Sequence, residues 1–220
     1  MQDRLAALWY DFCYWLYKAT ATLAFSYRSE GGDRIPRRGP ALLVANHESF
    51  LDPLLVGMST CRRLRYLTRK TLFKHPLLGA YLRGVGCVPV DQQGVAKEGL
   101  KAALDLLHAG EAVLVFPEGE RTLTGEMGPL KPGVHLLIRK TRTPVVPVGI
   151  AGAHDAFPRT RRLPRLAPLF LPPGRGTFAV SVGEPLDGDR YAHLPREQSL
   201  AELHAAIQAM KDRAERLRRK

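Results

Sequence analysis

The chain has 220 residues, of which 45% are hydrophobic and 25% charged, with a formal net charge of +12. Those totals exclude a disordered or fibrous protein and leave room for one domain with a real core. The basic excess implies an anionic partner: nucleic acid, a membrane surface or a phosphorylated substrate.

Leu5 to Tyr27 is rich in apolar and aromatic side chains and reads as a helix. Arg4, Asp11 and Lys18 recur every seven residues, which places them on one narrow stripe. A helix with one polar stripe and abundant Trp and Tyr suits the membrane interface better than the bilayer core. The other reading is that its aromatics pack on the domain. Ala19-Thr20-Ala21 looks like a signal cleavage site, but Asp11 breaks the apolar run before it.

Glu30 to Pro40 is turn-rich and reads as a linker. The pattern then alternates. Strands are expected at Ala41–Ala45, Leu64–Thr68, Cys87–Val90, Ala112–Phe116 and Val145–Ile150. Helices are expected at Pro53–Ser59, with Asp52 as N-cap, then at Leu72–Arg83, Val95–Ala109 and Val134–Lys140. This rhythm predicts an α/β fold with a mainly parallel central sheet flanked by helices. Residues 154–175, rich in Pro and Arg, form a long excursion. Thr177–Val182 alternates as an edge strand would. Ser199 to Glu202 reads as a capping box opening a last helix, whose tail, Arg213 to Lys220, is expected to be a solvated basic end. The expected division is a membrane-associating amphipathic helix over 1–30 and a second unit over 31–220.

Two polar clusters follow predicted strands. The first, Asn46-His47-Glu48-Ser49-Phe50-Leu51-Asp52, holds a His and an Asp five residues apart. A turn at the strand end would let Asp52 hold one ring nitrogen and leave the other to accept a proton. On spacing alone, a purely structural hydrogen bond is the commoner outcome. No GxSxG and no paired Cys supplies a protein nucleophile, so a substrate hydroxyl is the expected one. Metal ligation fails on spacing, because Leu51 stands where a zinc-protease helix needs its second His. The second cluster, Phe116-Pro117-Glu118-Gly119-Glu120-Arg121, offers a guanidinium suited to phosphate and a glycine that lets backbone approach a ligand.

Taken in order, these blocks resemble the glycerolipid acyltransferase family, whose best-known members are the lysophosphatidic acid acyltransferases. The NHx4D motif matches Asn46-His47 to Asp52, and the FPEGTR-type motif matches Phe116–Arg121. The closing block matches Val145–Ile150, Arg69 to Gly79 looks like the lysine–leucine–proline–glycine segment, and Gly86 to Asp91 like the second block. The resemblance implies an acyl transfer from acyl-CoA or acyl carrier protein to the hydroxyl of a lysophospholipid. The implied acceptor is 1-acyl-glycerol-3-phosphate and the implied product phosphatidate. His47 and Asp52 would be catalytic, and Asn46, Arg69, Glu118, Gly119 and Arg121 would bind substrate. No metal and no cofactor beyond the thioester co-substrate is implied. The expected setting is peripheral, on the cytoplasmic face of an anionic membrane, with no nucleic acid. Two departures stand out: Glu120 replaces a small hydroxyl residue, and Gln92 replaces an Arg. Gln92 opens the alternative of another lyso-lipid acceptor, with Arg69 compensating on the phosphate side. A non-catalytic basic module binding lipid or nucleic acid is the alternative from a different class.

Overall fold

The structure, a computed structural model, describes residues 2–90, 95–161 and 163–219. Asp91, Gln92 and Arg162 therefore lie outside the described residues, as do the side chains of Arg4 and Val95.

The strands are β1 (Arg28–Glu30), β2 (Ala41–Ala45), β3 (Arg65–Arg69), β4 (Cys87–Val90), β5 (Ala112–Val115), β6 (Val145–Ala151) and β7 (Ala179–Val182). They form one seven-stranded sheet in the order β1-β7-β6-β2-β5-β3-β4. Only β6 and β7 pair antiparallel; the other described pairs are parallel. The helices are α1 (Gln2–Phe25), α2 (Asp52–Met58), α3 (Pro76–Gly84), α4 (Val95–His108), α5 (Gly133–Thr141), α6 (Ala153–Ala156), α7 (Gly188–His193) and α8 (Arg196–Leu217).

β2 explains why this sequence makes an α/β fold. It lies between β5 and β6 and is buried along its whole length. Ala41, Leu43 and Ala45 pack on one face of the sheet, with Ala21 of α1 and Leu55, Val56 and Met58 of α2. Leu42 and Val44 pack on the other, with Ala103 and Leu107 of α4, Ile138 of α5 and Leu203 and Ile207 of α8. A strand covered on both faces must be apolar at every position, hence the unbroken run Ala41-Leu-Leu-Val-Ala45. On the second face α8 presses hard against β6. A Cβ on Gly149 would stand 2.0 Å from backbone atoms of Met210 and Lys211. That contact requires glycine and fixes the height at which α8 passes the sheet.

Several expectations change. β7 is not an edge: β1, where the sequence predicts the end of the N-terminal helical unit and the first linker residue, pairs with it and takes the outer place. α7 was not foreseen. The last helix starts at Arg196 after Pro195, one turn before the expected capping box. Ser199 lies inside the helix, its Oγ buried with no hydrogen-bond partner among the described residues. The tail is not a free basic end either. Arg213 bonds Glu30, Arg218 bonds Glu215 and Asp155, and Arg219 donates to the carbonyl oxygens of Pro168 and Leu169. Asp52 is the first residue of α2 rather than its cap, because its carboxylate is turned back toward the preceding loop.

Candidate active site

The parallel strands β2, β3, β5 and β6 end on the same side of the sheet. β2 is flanked there by strands leading to different helices, where an open α/β sheet leaves a crevice. The chain leaving β2 is held first by Asn46. Its Nδ2 donates to the Ile150 carbonyl at 2.9 Å, and its Oδ1 accepts from the Ile150 N–H at 2.8 Å. The side chain thus extends the β2–β6 pairing by one step. Asn46 is buried, and through these bonds its side chain clamps the start of the turn to β6.

His47 comes next and turns toward solvent. Its Nδ1 lies 2.7 Å from Asp52 Oδ2. The same oxygen accepts the backbone N–H groups of Glu48 and Ser49 at 2.6 and 2.7 Å. This three-donor focus forces the tight turn that lets residues five apart meet. Asp52 is fully buried, whereas the His47 side chain keeps 18% of its surface exposed. Burial pushes the Asp52 carboxyl up from its usual range, while the His47 contact and the two N–H donors pull the other way. The imidazole stacks on the Phe116 ring, 4.0 Å between centroids and 14° between planes. Among the described residues Nε2 has no hydrogen-bond partner. An imidazole held this way can take a proton from a group brought to Nε2. Ser49, two residues after His47, is buried and donates to the Phe157 carbonyl, so it is not an available nucleophile.

The loop after β5 locks onto this turn. Glu118 Oε1 accepts the His47 backbone N–H at 2.7 Å, and Oε2 accepts the Gly128 N–H at 2.8 Å. Thr122 N–H donates to the His47 carbonyl at 2.8 Å. Burial raises the Glu118 carboxyl above its usual range. Both of its oxygens serve backbone, so Glu118 acts as a strap holding the two clusters in register. Gly119 has φ +79°, and a Cβ there would meet the Lys131 side chain at 2.6 Å. Glycine therefore lets the turn form and leaves room for that ammonium.

Cations gather beside the turn. The Arg121 guanidinium lies 3.3 Å from the centroid of the Phe50 ring, and its Nη1 has no hydrogen-bond partner among the described residues. Burial, and then the positive charges of Arg159 and Arg69, hold its pKa below the usual value. Arg69 is exposed at the end of β3. Glu120 does not face this cluster alone: its carboxylate lies 3.6 Å from Arg159. Arg159 and Arg69 thus both add positive charge around Arg121, a field that favours an anion.

Two residues behind the dyad were not singled out from sequence. Glu48 is buried; Oε1 accepts from Asn46 Nδ2 at 3.2 Å and lies 3.7 Å from Lys211 Nζ of α8. Oε2 accepts the His154 N–H at 3.1 Å. Burial and the nearby Asp52 carboxylate push the Glu48 pKa up to about 8, against the pull of Lys211. No sequence signal connects Lys211 to this loop. Arg159, within the Pro- and Arg-rich excursion, is likewise brought to the site, where it pairs with Glu120.

The sequence and the fold of the chain resemble those of known proteins. The family model described as Acyltransferase matches residues 26–151. A 1-acyl-sn-glycerol-3-phosphate acyltransferase of Bacillus subtilis is 26% identical over 199 residues, covering 90% of this chain and 92% of that protein. A chloroplastic 1-acyl-sn-glycerol-3-phosphate acyltransferase of Arabidopsis thaliana is 31% identical over 132 residues, covering 59% of this chain but only 37% of its own length. The crystal structure of the 1-acyl-sn-glycerophosphate acyltransferase PlsC from Thermotoga maritima superposes with a TM-score of 0.67 at 25% identity, over 87% of this chain and 71% of that one. The matched span runs from before β1 to the end of β6 and carries the His47–Asp52 turn, the Glu118 strap and Arg121 together; the chain belongs to the acyltransferase family.

Proposed function

We propose that the protein transfers a fatty acyl group from acyl-CoA or acyl carrier protein to the free hydroxyl of 1-acyl-glycerol-3-phosphate, giving phosphatidate. The observation that carries this reading is the His47–Asp52 contact of 2.7 Å, in a turn with no available protein nucleophile. His47 Nε2 takes the proton of the acceptor hydroxyl as its oxygen attacks the thioester carbonyl. Asp52 stabilises the imidazolium that forms. The tetrahedral intermediate collapses with cleavage of the C–S bond, and the imidazolium returns the proton to the leaving thiolate. No acyl-enzyme forms, and no cofactor takes part. Arg121, with Arg69 and Arg159 beside it, receives the acceptor phosphate. Asn46, Glu118 and Gly119 shape the site from beneath. The relatives' names, which specify the same acceptor, support the reading.

The setting is peripheral, at the cytoplasmic face of an anionic membrane. Among the described residues no helix is long and apolar enough to cross one. α1 packs Cys13 and Ala21 inward and leaves Leu8, Phe12, Trp15, Leu16 and Leu23 exposed on the other side, with Trp9 half-exposed against Gly84 of α3. That face and the basic excess suit lipid headgroups better than nucleic acid.

The deciding experiment incubates the protein with acyl-CoA or acyl carrier protein donors against a panel of lyso-lipids and reads products by mass spectrometry. Phosphatidate from 1-acyl-glycerol-3-phosphate, lost in His47→Ala with an unchanged melting temperature, is the expected result. Preference for a different lyso-lipid would move the acceptor assignment, and retained turnover in the variant would remove His47 as the base.

A further inference from the structure

The excursion between α6 and β7 has an unusual surface. Leu163 (78% exposed), Leu166 (60%), Leu169 (42%), Phe170 (79%) and Leu171 (50%) stand outward within nine residues. Water-facing apolar side chains at this density mark a contact surface. The segment is not a loose tail, because its backbone is held at several points. Ala167 N–H donates to the Ala24 carbonyl and Leu169 N–H to the Leu23 carbonyl, both at 2.9 Å. Ser26 Oγ donates to the Ala167 carbonyl at 2.9 Å, and Arg219, which also reaches Ser26 Oγ, donates to the carbonyl oxygens of Pro168 and Leu169. Ala167 is buried while its neighbours point out. The fold thus presents this apolar tip in a fixed position at the C-terminal end of α1, beside the exposed Leu23.

Charge decides between occupants. From residue 156 to 183 the chain has no Asp or Glu, yet it has Arg159, Arg161, Arg162, Arg165 and Arg175. Arg159, Arg161, Arg165 and Arg175 are exposed. A second copy of a +12 chain would be repelled by such a surface. Nucleic acid would satisfy the arginines and leave the leucines in water. An anionic bilayer satisfies both, with the apolar tip among the acyl chains and the arginines at the headgroups.

We infer that Leu163–Leu171 is a second lipid-inserting element, which works with α1 to dock the protein on an anionic bilayer at two points. The excursion begins at the site: Phe157 lies 6.2 Å from Phe50, and Arg159 reaches Glu120. Two-point docking therefore fixes the tilt of the molecule and sets the mouth of the crevice against the leaflet that holds a lipid acceptor. A helix alone would leave the molecule free to roll about the helix axis.

This inference rests on the membrane-surface setting proposed above, and its test separates the two. The full chain is mixed with sedimentable vesicles of phosphatidylglycerol and phosphatidylcholine, and bound protein is measured. Leu166→Ser/Leu169→Ser/Phe170→Ser, all at exposed positions, should lower partitioning about tenfold or more without changing the melting temperature. Independently, Phe170→Trp in a Trp9→Phe/Trp15→Phe background carries a single tryptophan, because the chain has two. Its emission should shift to the blue on adding vesicles and be quenched by brominated acyl chains. Unchanged partitioning together with absent quenching would overturn the inference. So would a dimer, seen by sedimentation, that the triple variant abolishes while vesicle binding persists. Should Trp9→Ser/Trp15→Ser lose binding while the triple variant keeps it, the loop assignment fails and the membrane setting stands. Wild-type protein that binds no vesicle of either composition overturns both. Turnover of short-chain, water-soluble acceptor and thioester, measured without vesicles, reports on the proposed reaction alone.

Discussion

Asp52 shows how much one carboxylate oxygen can organise. Oδ2 receives three N–H donors, one from the imidazole and two from backbone, and the turn exists because they converge. Asp52→Asn places an amide where an acceptor is needed and disfavours the tautomer that leaves Nε2 free. The expected loss in kcat is roughly 10²- to 10⁴-fold, with the melting curve as control for the buried site. Arg121→Ala should act on binding instead. Removing one charge-assisted contact raises KM for a phosphorylated acceptor about 10- to 150-fold, and an unphosphorylated lyso-lipid should show no such rise. Glu48 carries a pH prediction. Its folded pKa of about 8 lies well above the usual carboxylate value of 4.5, because burial and Asp52 oppose its charge. The folded state therefore holds a proton that the unfolded chain releases earlier. That contribution to stability is complete below about pH 4.5 and disappears as pH rises to about 8, at up to roughly 1.4 kcal/mol per unit. Glu48→Gln, a permanent mimic of the protonated form, should melt like the wild type at pH 5 and higher than it at pH 8. Equal melting at both pH values would show that Lys211 already neutralises the ionised form.

At the scale of elements, α8 and α1 divide the work. α8 packs Leu203, Ile207 and Ala214 into the core and also delivers Lys211 behind the dyad. That height depends on Gly149. Gly149→Ala puts a methyl into the backbone of Met210 and Lys211, so α8 must move. A stability loss of about 1–3 kcal/mol is expected, with a drop in turnover larger than that of a stability-matched core variant, because Lys211 moves as well. α1 is amphipathic in a sense the sequence stripe hid. Asp11 is exposed at the flank of a face that is otherwise Leu, Trp and Phe. The inward side carries Cys13 and Ala21 and packs beside Tyr66 and Leu55, so removing the helix would uncover core as well as any lipid-binding face. Substitutions on its outer face are the cleaner probe of membrane attachment.

Across the whole molecule, one sheet order converts separated motifs into one crevice. β5 and β6 flank β2, so the chain segments leaving these three strands must meet. Arg69 arrives from β3, two places from β2. The basic surface then acts at longer range. Binding to anionic vesicles should weaken as salt rises from about 0.05 to 0.5 M, because the Debye length shrinks from more than 10 Å toward a few ångströms. Binding that ignores salt would assign attachment to the apolar faces alone.

The sequence by itself determined the local events. Unbroken apolar runs marked the buried strands, Pro and Gly marked their ends, and the order of the Asn46–Asp52 and Phe116–Arg121 blocks marked the crevice. These depend on neighbours a few residues apart. It could not show that Asn46 and Glu118 are clamps, that Glu48 shares its burial with Lys211, or that β7 is an inner strand. Each depends on a partner far along the chain: Ile150, the His47 backbone, α8 and β1. Burial is likewise a property of the assembled layers. The same Leu and Phe content describes a core segment and the tip at Leu163–Leu171, and only the packing around Ala167 turns that tip outward.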